Sequence, residues 1–395
     1  ERKDRNKRNC WLTYTNEKTH DIIRENIMRA PKYAGKIHGI GARYCPSIED
    51  KVVRFADKDR HQLFVEPEGL DTTEMYVQGM STSMPIDVQY AFLRTIPGFE
   101  DVKMMRPAYA IEYDLLDPLQ LYPTLEVIKL PGLYSAGQSN GTSGYEEAAA
   151  QGLVAGINAA LKIQGKDPFI LARHEAYIGS LVDDLVTKGA DEPYRMMTSR
   201  SEYRLILRQD NADLRLTEKG HSIGLVGEER YARFLERKKK YEEAMDYIRT
   251  QRFTPKEEIN RALESMGTAP LTTGTGADQI LKRPEMTYRK MMETLGCPSF
   301  DEEAVEEMEI TVKYEGYIAR QEAAVRKAAR MENEKLPLDM DYLSLDGIST
   351  EARQKMDKIR PLSLGQAARI PGVSPADISV LMVYVKQRKG KKSAE

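Results

Sequence analysis

The chain has 395 residues, of which 41% are hydrophobic and 30% charged, a composition that supports two or three soluble domains with apolar cores. No apolar segment is long enough to span a membrane, and the net charge of −2 means that nucleic-acid binding would depend on a local basic surface. The three cysteines lie far apart and form no C-x-x-C pair. This spacing argues against a disulfide framework or a metal site and favours the cytoplasm.

Short strand candidates and turns alternate over the first 110 residues. Three stretches along this part of the chain have the composition of strands. They are DKVVRFA, HQLFVEPEG and PAYAIEYDLL, at residues 50–56, 61–69 and 107–116. The stretch SMPIDVQYAFLRTIPGF contains a helix that Pro97 and Gly98 terminate.

A glycine-rich turn follows Leu133–Ala136, which has the apolar character of a short buried strand. The Ala- and Glu-rich sequence after the turn predicts a helix from Tyr145 to about Gln164. Such a turn directs backbone N–H groups and the positive end of the helix dipole at a ligand. The alternative is an ordinary connection between a strand and a helix, without a ligand.

Two features of this turn favour a neutral cofactor over a pyrophosphate. It is rich in small polar side chains, and Glu146 and Glu147 in the first helical turn would repel a phosphate. A flavin ring with its ribityl chain presents neutral polar edges, so we interpret the turn as part of a cofactor site. Ala148, Gly152 and Gly156 form a stripe of small residues at helical spacing, which predicts close packing of the helix on a sheet.

A cysteine in the first part of the chain lies between positive charges. Cys45 follows Arg43, precedes Pro46 and has Lys51 nearby in sequence. Positive groups close in space would lower the pKa of the thiol and favour the thiolate. A buried, inert cysteine is the alternative. We interpret Cys10 and Cys297, which lack such a setting, as structural.

Long amphipathic helices replace strands beyond Pro168. ERYARFLERKKKYEEAMDYIRTQ and VKYEGYIARQEAAVRKAARMENE both carry apolar residues at helical spacing. We place one domain boundary near residue 165 and a second near Leu336, where a small helical tail begins. The last ten residues are strongly polar, and we expect them to be disordered.

An arginine-rich stretch starts this helical region. Arg200, Arg204 and Arg208 are spaced by four residues, so on a helix they would line one face, suited to phosphates. Tyr194 and Tyr203, interleaved with them, could stack on exposed bases. Charge spacing alone favours a solvated face balanced by neighbouring carboxylates. A strand and turn is a further alternative for part of this stretch.

Ten stretches along the chain together resemble the glucose-inhibited division protein A family, nearly from end to end. They are TNEKTHDIIREN, RYCPSIEDKVVRFADK, VEPEG, STSMP, RPAYAIEYD, AGQSNGTSGYEEAAAQGLVAG, EPYRMMTSRSEYRLILRQDNADLRLT, RPEMTY, VKYEGYIARQ and SLGQAARIPGVSPADIS. Members of that family are the FAD-dependent subunit of the bacterial enzyme that builds a carboxymethylaminomethyl group on C5 of a tRNA wobble uridine.

The resemblance implies an α/β plus all-α fold. It would comprise the C-terminal part of a split Rossmann-like FAD-binding domain with an inserted α/β domain, followed by a helical C-terminal domain. The segments would be the latter part of an NADH-associated domain, the C-terminal segment of the FAD-binding domain, a helical tRNA-binding domain, and a small subdomain for contact with tRNA and a GTPase. Their bounds would be 1–110, 111–165, 166–335 and 336–395.

Site residues follow from the same resemblance, position by position. FAD contacts are implied for Gln138, Asn140, Gly141, Thr142 and Gly144. The tRNA contacts are implied for Arg200, Arg204 and Arg208, and a role in chemistry at the uracil, or in protecting an intermediate, is implied for Cys45. NADH contacts are implied for Gly41, Ala42, Arg43, Tyr44, Cys45, Pro46, Ser47, Ile48, Glu49, Asp50, Lys51, Val52, Val53, Arg54 and Phe55.

The implied reaction uses FAD, NADH, methylenetetrahydrofolate, and glycine or ammonium, with tRNA and a tRNA-modification GTPase as partners of a homodimer. This chain begins without methionine and contains no G-x-G-x-x-G turn for the ADP pyrophosphate. We therefore expect a fragment of a longer enzyme that is inactive by itself. The alternatives are a non-catalytic module that binds tRNA and a partner, and a small-molecule flavoprotein oxidoreductase.

Overall fold

The computed structural model describes residues 8–37 and 46–392. Contacts between residues divide these into two compact units. Unit 1 comprises the chain up to Gln120, Leu125–Gly156 and Ala190–Arg195. Unit 2 comprises Leu121–Thr124, Ile157–Gly189 and the chain from Met196 onward.

Unit 1 combines a small antiparallel sheet with helices. Its strands are β1 (Trp11–Tyr14), β2 (Gln62–Pro67) and β3 (Met75–Gln78). Its helices are α1 (Glu17–Glu25), α2 (Ile48–Arg54), α3 (Ile86–Leu93) and the first part of α4 (Tyr145–Ile163). The strand order is β1-β2-β3, and Phe64 in the central strand pairs with Leu12 on one side and Gln78 on the other.

Local signals explain the helices that pack on this sheet. Asn16 and Thr19 form a reciprocal capping box at the start of α1. Helix α2 lies where the sequence predicted a strand, so that prediction was wrong. The Ser47 side chain caps its first turn, and Ile48 and Val52, four residues apart, are both buried. Capping and helical spacing of buried residues outweigh the strand preference of the two adjacent valines.

Other local predictions for unit 1 had mixed outcomes. The predicted strand at 61–69 corresponds to β2, and the predicted helix before Pro97 corresponds to α3. Residues 107–116 form no strand, and Leu133–Ala136 contributes one isolated bridge, between Glu126 and Tyr134. These two strand predictions were wrong, because a strand exists only where a neighbour completes its hydrogen-bond ladder.

The core of unit 1 lies between the sheet and its helices. It consists of apolar side chains from α1, α2, α3, β2 and the loops between them. They are Ile23, Ala30, Ile48, Val52, Leu63, Met80, Met84, Val88, Phe92 and Ile96. Val88 and Phe92, four residues apart, lie on one face of α3, and Met84 in the preceding loop packs in the same core.

Unit 2 is almost entirely helical. Its helices are α5 (Tyr177–Lys188), α6 (Ala212–Ser222), α7 (Glu228–Thr250), α8 (Glu257–Ser265), α9 (Ala277–Leu281), α10 (Tyr288–Leu295), α11 (Glu302–Asn333), α12 (Thr350–Ile359), α13 (Leu364–Arg369) and α14 (Pro375–Lys392). Two short strands, β4 (Arg252–Phe253) and β5 (Thr275–Gly276), pair antiparallel.

Two separate apolar cores stabilise unit 2. One is built from α7 to α11 and includes Ile248, Tyr288 and Met308. The other lies in the C-terminal tail between Leu336 and Val385. The long helices predicted by periodicity correspond to α7 and α11, so the expected mixture of sheet and helix followed by a helical C-terminal region is confirmed. None of the helices in the described part of the chain has both the length and the apolar character to cross a bilayer.

Candidate functional site

The glycine-rich turn, residues 137–144, is built by backbone conformations that only glycine adopts easily. Gly137–Asn140 forms one turn of 3₁₀ helix, and Gly137 and Gly141 have φ values of 83° and 79°. A Cβ atom on Gly141 would lie 2.7 Å from the Cβ of Ala190. Glycine is therefore needed at this position by the chain's own packing as well as by its backbone angle.

A neutral hydrogen-bond network fixes the turn from inside. The buried Asn140 amide donates to the Ser135 carbonyl at 2.9 Å and to Oε1 of Gln151 at 2.8 Å. The Gln151 amide donates to the Thr142 hydroxyl at 2.9 Å, and that hydroxyl donates to the Gly137 carbonyl at 2.9 Å. The side chains of Asn140 and Thr142 are thus occupied in holding the turn, and α4 is tied to it through Gln151.

The first turn of α4 carries a group of paired charges. Glu146 and Glu147, the carboxylates noted in the sequence, both form ion pairs with Arg195. A Cβ atom on Gly144 would lie 1.9 Å from Oε2 of Glu147 and 2.9 Å from Cζ of Arg195. The absence of a side chain at Gly144 therefore lets this ion pair close over the start of the helix.

Two polar side chains of the turn have no partner in the described part of the chain. The half-buried side-chain amide of Gln138 makes no hydrogen bond there. Only the backbone carbonyl of Gln138 is bonded, accepting from the Gly141 N–H at 2.9 Å. The Ser143 hydroxyl is buried and also lacks a hydrogen-bond partner. Both groups have unused hydrogen-bonding capacity, which suits a neutral ligand with polar edges.

The stripe of small residues on α4 makes less contact than the sequence predicted. A Cβ atom on Gly137 would lie 3.3 Å from Ala148, so the first member of the stripe packs against the turn. Added Cβ atoms on Gly152 and Gly156 would meet no atom within 4 Å among the residues that the structure describes. The predicted packing of this stripe on a sheet is therefore wrong for the described chain.

The predicted NADH segment is described only from Pro46 onward. Gly41, Ala42, Arg43, Tyr44 and Cys45 lie outside the described residues. The remaining positions form the start and body of α2. Ile48 and Val52 belong to the core, whereas Val53, Arg54 and Phe55 are exposed.

Two acidic residues of α2 are buried. Oε1 of Glu49 accepts hydrogen bonds from the Ser83 N–H at 2.9 Å and the Ser83 hydroxyl at 2.8 Å. Asp50 accepts from Nζ of Lys32 and from the Tyr33 hydroxyl, each at 2.9 Å. Burial raises the pKa of Asp50, but these hydrogen bonds outweigh it and leave the pKa below its ordinary value. Burial and the bond to Asp50 raise the pKa of Tyr33 to about 12.

The described cysteines lie in contrasting surroundings. Cys10 is exposed, and Cys297 is buried in the core of unit 2. Burial raises the pKa of the Cys297 thiol, so it stays protonated and unreactive, as a structural cysteine does. In the described parts of the chain, no group of three or more His, Cys, Asp or Glu side chains is arranged to hold a metal.

The arginine-rich stretch is an irregular loop instead of a helix. Thr198–Arg200 forms a single 3₁₀ turn, and residues 201–211 are turns and bends. The prediction of three arginines along one helical face was therefore wrong. Arg204 is exposed and forms no ion pair with any residue that the structure describes, whereas Arg208 is turned inward.

Arg208 joins this loop to α11 through two carboxylates. It pairs with Asp210 at 2.9 Å and with Glu307 at 2.5 Å, and the Glu307 side chain is only 5% exposed. Burial and the hydrogen bond to Asp210 raise the pKa of Glu307 to about 8, so Glu307 carries a proton at neutral pH. One arginine thus balances one remaining carboxylate charge.

A second charged network in unit 2 centres on Arg173, whose side chain is 9% exposed. It pairs with Asp183 at 3.1 Å, Asp184 at 2.8 Å and Glu202 at 2.8 Å. Asp183 also pairs at 2.6 Å with Arg369 of α13. Burial lowers the pKa of Arg173, but the carboxylates outweigh it, so the guanidinium stays charged.

Sequence reasoning missed the residues that complete these arrangements. Arg195 and Ala190 lie some fifty residues beyond the turn that they contact, and no local pattern links them to it. Gln151 carried a weak signal, since it is the lone polar residue among the small side chains that follow Glu147. Arg173 carried none, because its partners lie in two separate segments, α5 and the arginine-rich loop.

Unit 1 therefore combines helix and sheet and carries a glycine-rich turn before a helix, and it is joined in one chain to a helical region. Three family models match the chain. "Glucose inhibited division protein A" matches residues 1–167. The C-terminal helical domain and the C-terminal helical bundle of "tRNA modifying enzyme MnmG/GidA" match residues 228–322 and 324–395.

Individual relatives agree with these matches. The proteins from Enterococcus faecalis and Caldicellulosiruptor saccharolyticus, each named "tRNA uridine 5-carboxymethylaminomethyl modification enzyme MnmG", are 57% identical over 98% and 96% of this chain. The solved structure of Aquifex aeolicus GidA in its form II crystal is 46% identical over 97% of this chain, with a TM-score of 0.81.

The chain belongs to the glucose-inhibited division protein A family. It spans 61% of the length of both curated relatives and 59% of the Aquifex chain.

Proposed function

We propose that this chain is part of an enzyme that installs carboxymethylaminomethyl on C5 of the wobble uridine in tRNA, using FAD. The similarity that carries this proposal is the 57% identity, over almost the whole chain, to relatives whose names specify that modification. The proposal includes NADH, methylenetetrahydrofolate, and glycine or ammonium as co-substrates. It also includes a tRNA-modification GTPase, a homodimer and a cytoplasmic location.

The glycine-rich turn is the proposed FAD contact, as one side of a split Rossmann-like site. Gln138 and Ser143 would offer their unused polar groups to the cofactor, and Gly141 and Gly144 would act by letting the chain pack closely around the turn. Asn140 and Thr142 would act by holding the turn, since their side chains are already bonded. The flavin supplies the redox chemistry of the reaction. Arg195 offsets one of the two carboxylate charges that would repel an anionic cofactor.

The segment from Gly41 to Phe55 remains our proposed contact for NADH, with Cys45 as a proposed participant in chemistry at the uracil. In its described part, the buried carboxylates of α2 are bonded to Ser83, Lys32 and Tyr33. Such bonds hold α2 in place. They leave the exposed side chains of Val53, Arg54 and Phe55 as the ones able to meet a ligand.

The loop at residues 198–211 is the proposed tRNA contact, with unequal roles for its arginines. Arg204 is exposed and free to meet a phosphate. Arg208 is held by Asp210 and Glu307, which supports a role in shaping the loop more than in binding RNA directly.

An FAD titration tests the cofactor part of the proposal. We expect this chain, which has no G-x-G-x-x-G turn, to bind FAD at least about 100-fold more weakly than the full-length Enterococcus faecalis relative, the equivalent of two lost charge-assisted hydrogen bonds. Flavin fluorescence measures both affinities. Gln138→Ala should weaken the remaining binding further, and Gln209→Ala, at an exposed glutamine of unit 2, is the matched control. Equal affinity of the chain and the relative would contradict the split site.

The salt dependence of tRNA binding tests the RNA part. Arg204→Ala should reduce the slope of log affinity against log salt by about one unit, because one phosphate contact is lost. Arg233→Ala on α7, at an arginine that is 72% exposed, should leave the slope unchanged. An unchanged slope for Arg204→Ala would mean that this arginine faces solvent and makes no contact with an RNA phosphate.

A further inference from the structure

Helix α11 carries two neighbouring exposed tyrosines beyond the part of the helix that is buried. Its buried residues end at Val312, and Tyr314 and Tyr317 are 47% and 58% exposed. The two ring centroids lie 6.5 Å apart, and the guanidinium carbon of Arg320 lies 5.8 Å from the Tyr317 centroid. These three side chains, here called the α11 platform, form a row of flat surfaces facing solvent.

No intramolecular bond explains why these rings are present. Neither tyrosine hydroxyl forms a hydrogen bond with a residue that the structure describes, and neither ring belongs to an apolar core. Large aromatic side chains that lie together on a surface generally mark an interaction site. The contact with Arg320 adds a planar cation at the end of the row.

The unpaired charge next to the tyrosines is positive. Glu315 pairs with Lys282 at 2.6 Å, and Glu322 pairs with Arg326 at 3.8 Å. Arg320 is exposed, lies beside Tyr317 and forms no ion pair with a carboxylate in the described part of the chain. Its guanidinium is therefore available to complement a phosphate.

The loop proposed to contact tRNA lies against this same stretch of α11. The Gln321 side chain, one turn beyond Tyr317, donates a hydrogen bond to the Glu202 carbonyl at 3.1 Å. Arg204, exposed and without an ion pair among described residues, follows Glu202 by two positions. An aromatic pair and a free arginine on a neighbouring loop thus occupy one region of unit 2.

We propose that the α11 platform binds unpaired bases of RNA by stacking, while Arg204 contacts the adjacent phosphate. This inference rests on the proposed function, in that it takes tRNA to be the ligand of unit 2. Exposed aromatic rings beside arginines are a recurring means of binding single-stranded nucleic acid, because every base has a flat face on which an aromatic ring can stack. The platform therefore recognises single-stranded RNA without strong dependence on sequence.

The test compares variants of this chain in binding unmodified tRNA and a short single-stranded RNA that carries 2-aminopurine. Y314A/Y317A should weaken binding about 5- to 100-fold and abolish the quenching of 2-aminopurine fluorescence that stacking causes. Y314F/Y317F should bind like the parent chain, since the rings remain. R320A should have a smaller effect in the same direction. Circular dichroism verifies that α11 stays helical in each variant.

The outcomes separate the platform from the proposed function. If the parent chain binds tRNA and Y314A/Y317A binds it equally well with unchanged quenching, the platform is overturned and the tRNA role stands. If the parent chain does not bind tRNA at all, both are overturned. If Y314F/Y317F loses as much affinity for RNA as Y314A/Y317A does, the effect comes from the tyrosine hydroxyls, and the stacking mode is overturned.

Discussion

The glycine-rich turn and the Arg173 network both bury polar side chains, but they satisfy those side chains with different chemistry. The turn buries the side chains of Asn140, Thr142 and Gln151, which satisfy one another through neutral hydrogen bonds. The Arg173 network buries an arginine among carboxylates from α5 and the arginine-rich loop. A neutral network loses little when one bond is broken, whereas an ionic one leaves a charge stranded away from water.

The difference matches what each region must do. A network of neutral hydrogen bonds has no group that titrates near neutral pH, so it keeps one shape over a wide pH range. The ionic network joins segments far apart in sequence, since Asp183 and Arg369 are separated by 186 residues. It thereby ties α5 to the C-terminal tail, whose core is otherwise separate from that of α7 to α11.

The largest effect should come from Arg173→Ala, which removes three ion pairs at once, although Lys188 stays paired with the buried Asp184. We expect unit 2 to lose about 3–5 kcal/mol of unfolding free energy. Urea unfolding followed by far-UV circular dichroism reports mainly on the helical unit. The single tryptophan, Trp11, lies in β1, so its fluorescence reports on unit 1 and should change little.

Arg233→Ala is the matched control for that loss. The arginine pairs with Glu229 at 3.7 Å, and both side chains are largely exposed, so its removal should cost less than about 1 kcal/mol. Similar losses for Arg173→Ala and Arg233→Ala would mean that the buried network contributes no more than a surface pair does.

Asn140→Ala should have an intermediate effect, confined to unit 1. It removes the partner of Oε1 of Gln151 and leaves that oxygen buried, at a cost of about 1–3 kcal/mol. Combining it with Gln151→Ala should cost less than the sum of the two single changes, because the second change removes the stranded group. Trp11 fluorescence during urea unfolding measures the effect. Strict additivity would show that the two side chains do not act as one network.

The smallest effect, taken per pH unit, should be a dependence of stability on pH caused by Glu307. Its pKa is raised in the folded state above the ordinary value of 4.5, so the folded protein holds a proton that the unfolded chain releases. The stability of unit 2 should fall as the pH rises from about 5 to about 8, with a slope of at most about 1.4 kcal/mol per pH unit. Glu307→Gln, which mimics the protonated group, should flatten that slope. If the parent chain and Glu307→Gln show the same slope, Glu307 is not the cause of the pH dependence.

Much of the local structure could be predicted from the sequence. The helix from Tyr145, predicted to end near Gln164, ends at Ile163, and the apolar spacing of α7 and α11 was sufficient to predict both long helices. These elements depend on residues three or four positions apart, which the sequence displays directly. The family resemblance was likewise carried by contiguous stretches, and the family is confirmed.

The predictions that failed needed information from distant residues. The stretch at 107–116 has Tyr109, Ile111, Tyr113 and Leu115 at alternating positions, as a strand would, yet it has no strand neighbour in the described chain. The arginine row failed for a related reason. Arg208 is turned inward by its hydrogen bond to Glu307, which lies 99 residues away, and no helical spacing could indicate that contact.

The sequence by itself determined the long helices, the glycine positions of the turn and the family, because each depends on short-range spacing or contiguous motifs. Only the tertiary structure decided which polar groups of the turn are occupied and which arginines are free. Those outcomes depend on contacts such as Arg195 with Glu146 and Arg173 with Glu202, whose partners are brought together by packing alone. Burial and partner distance set the charge state of a side chain, and neither can be read along the chain.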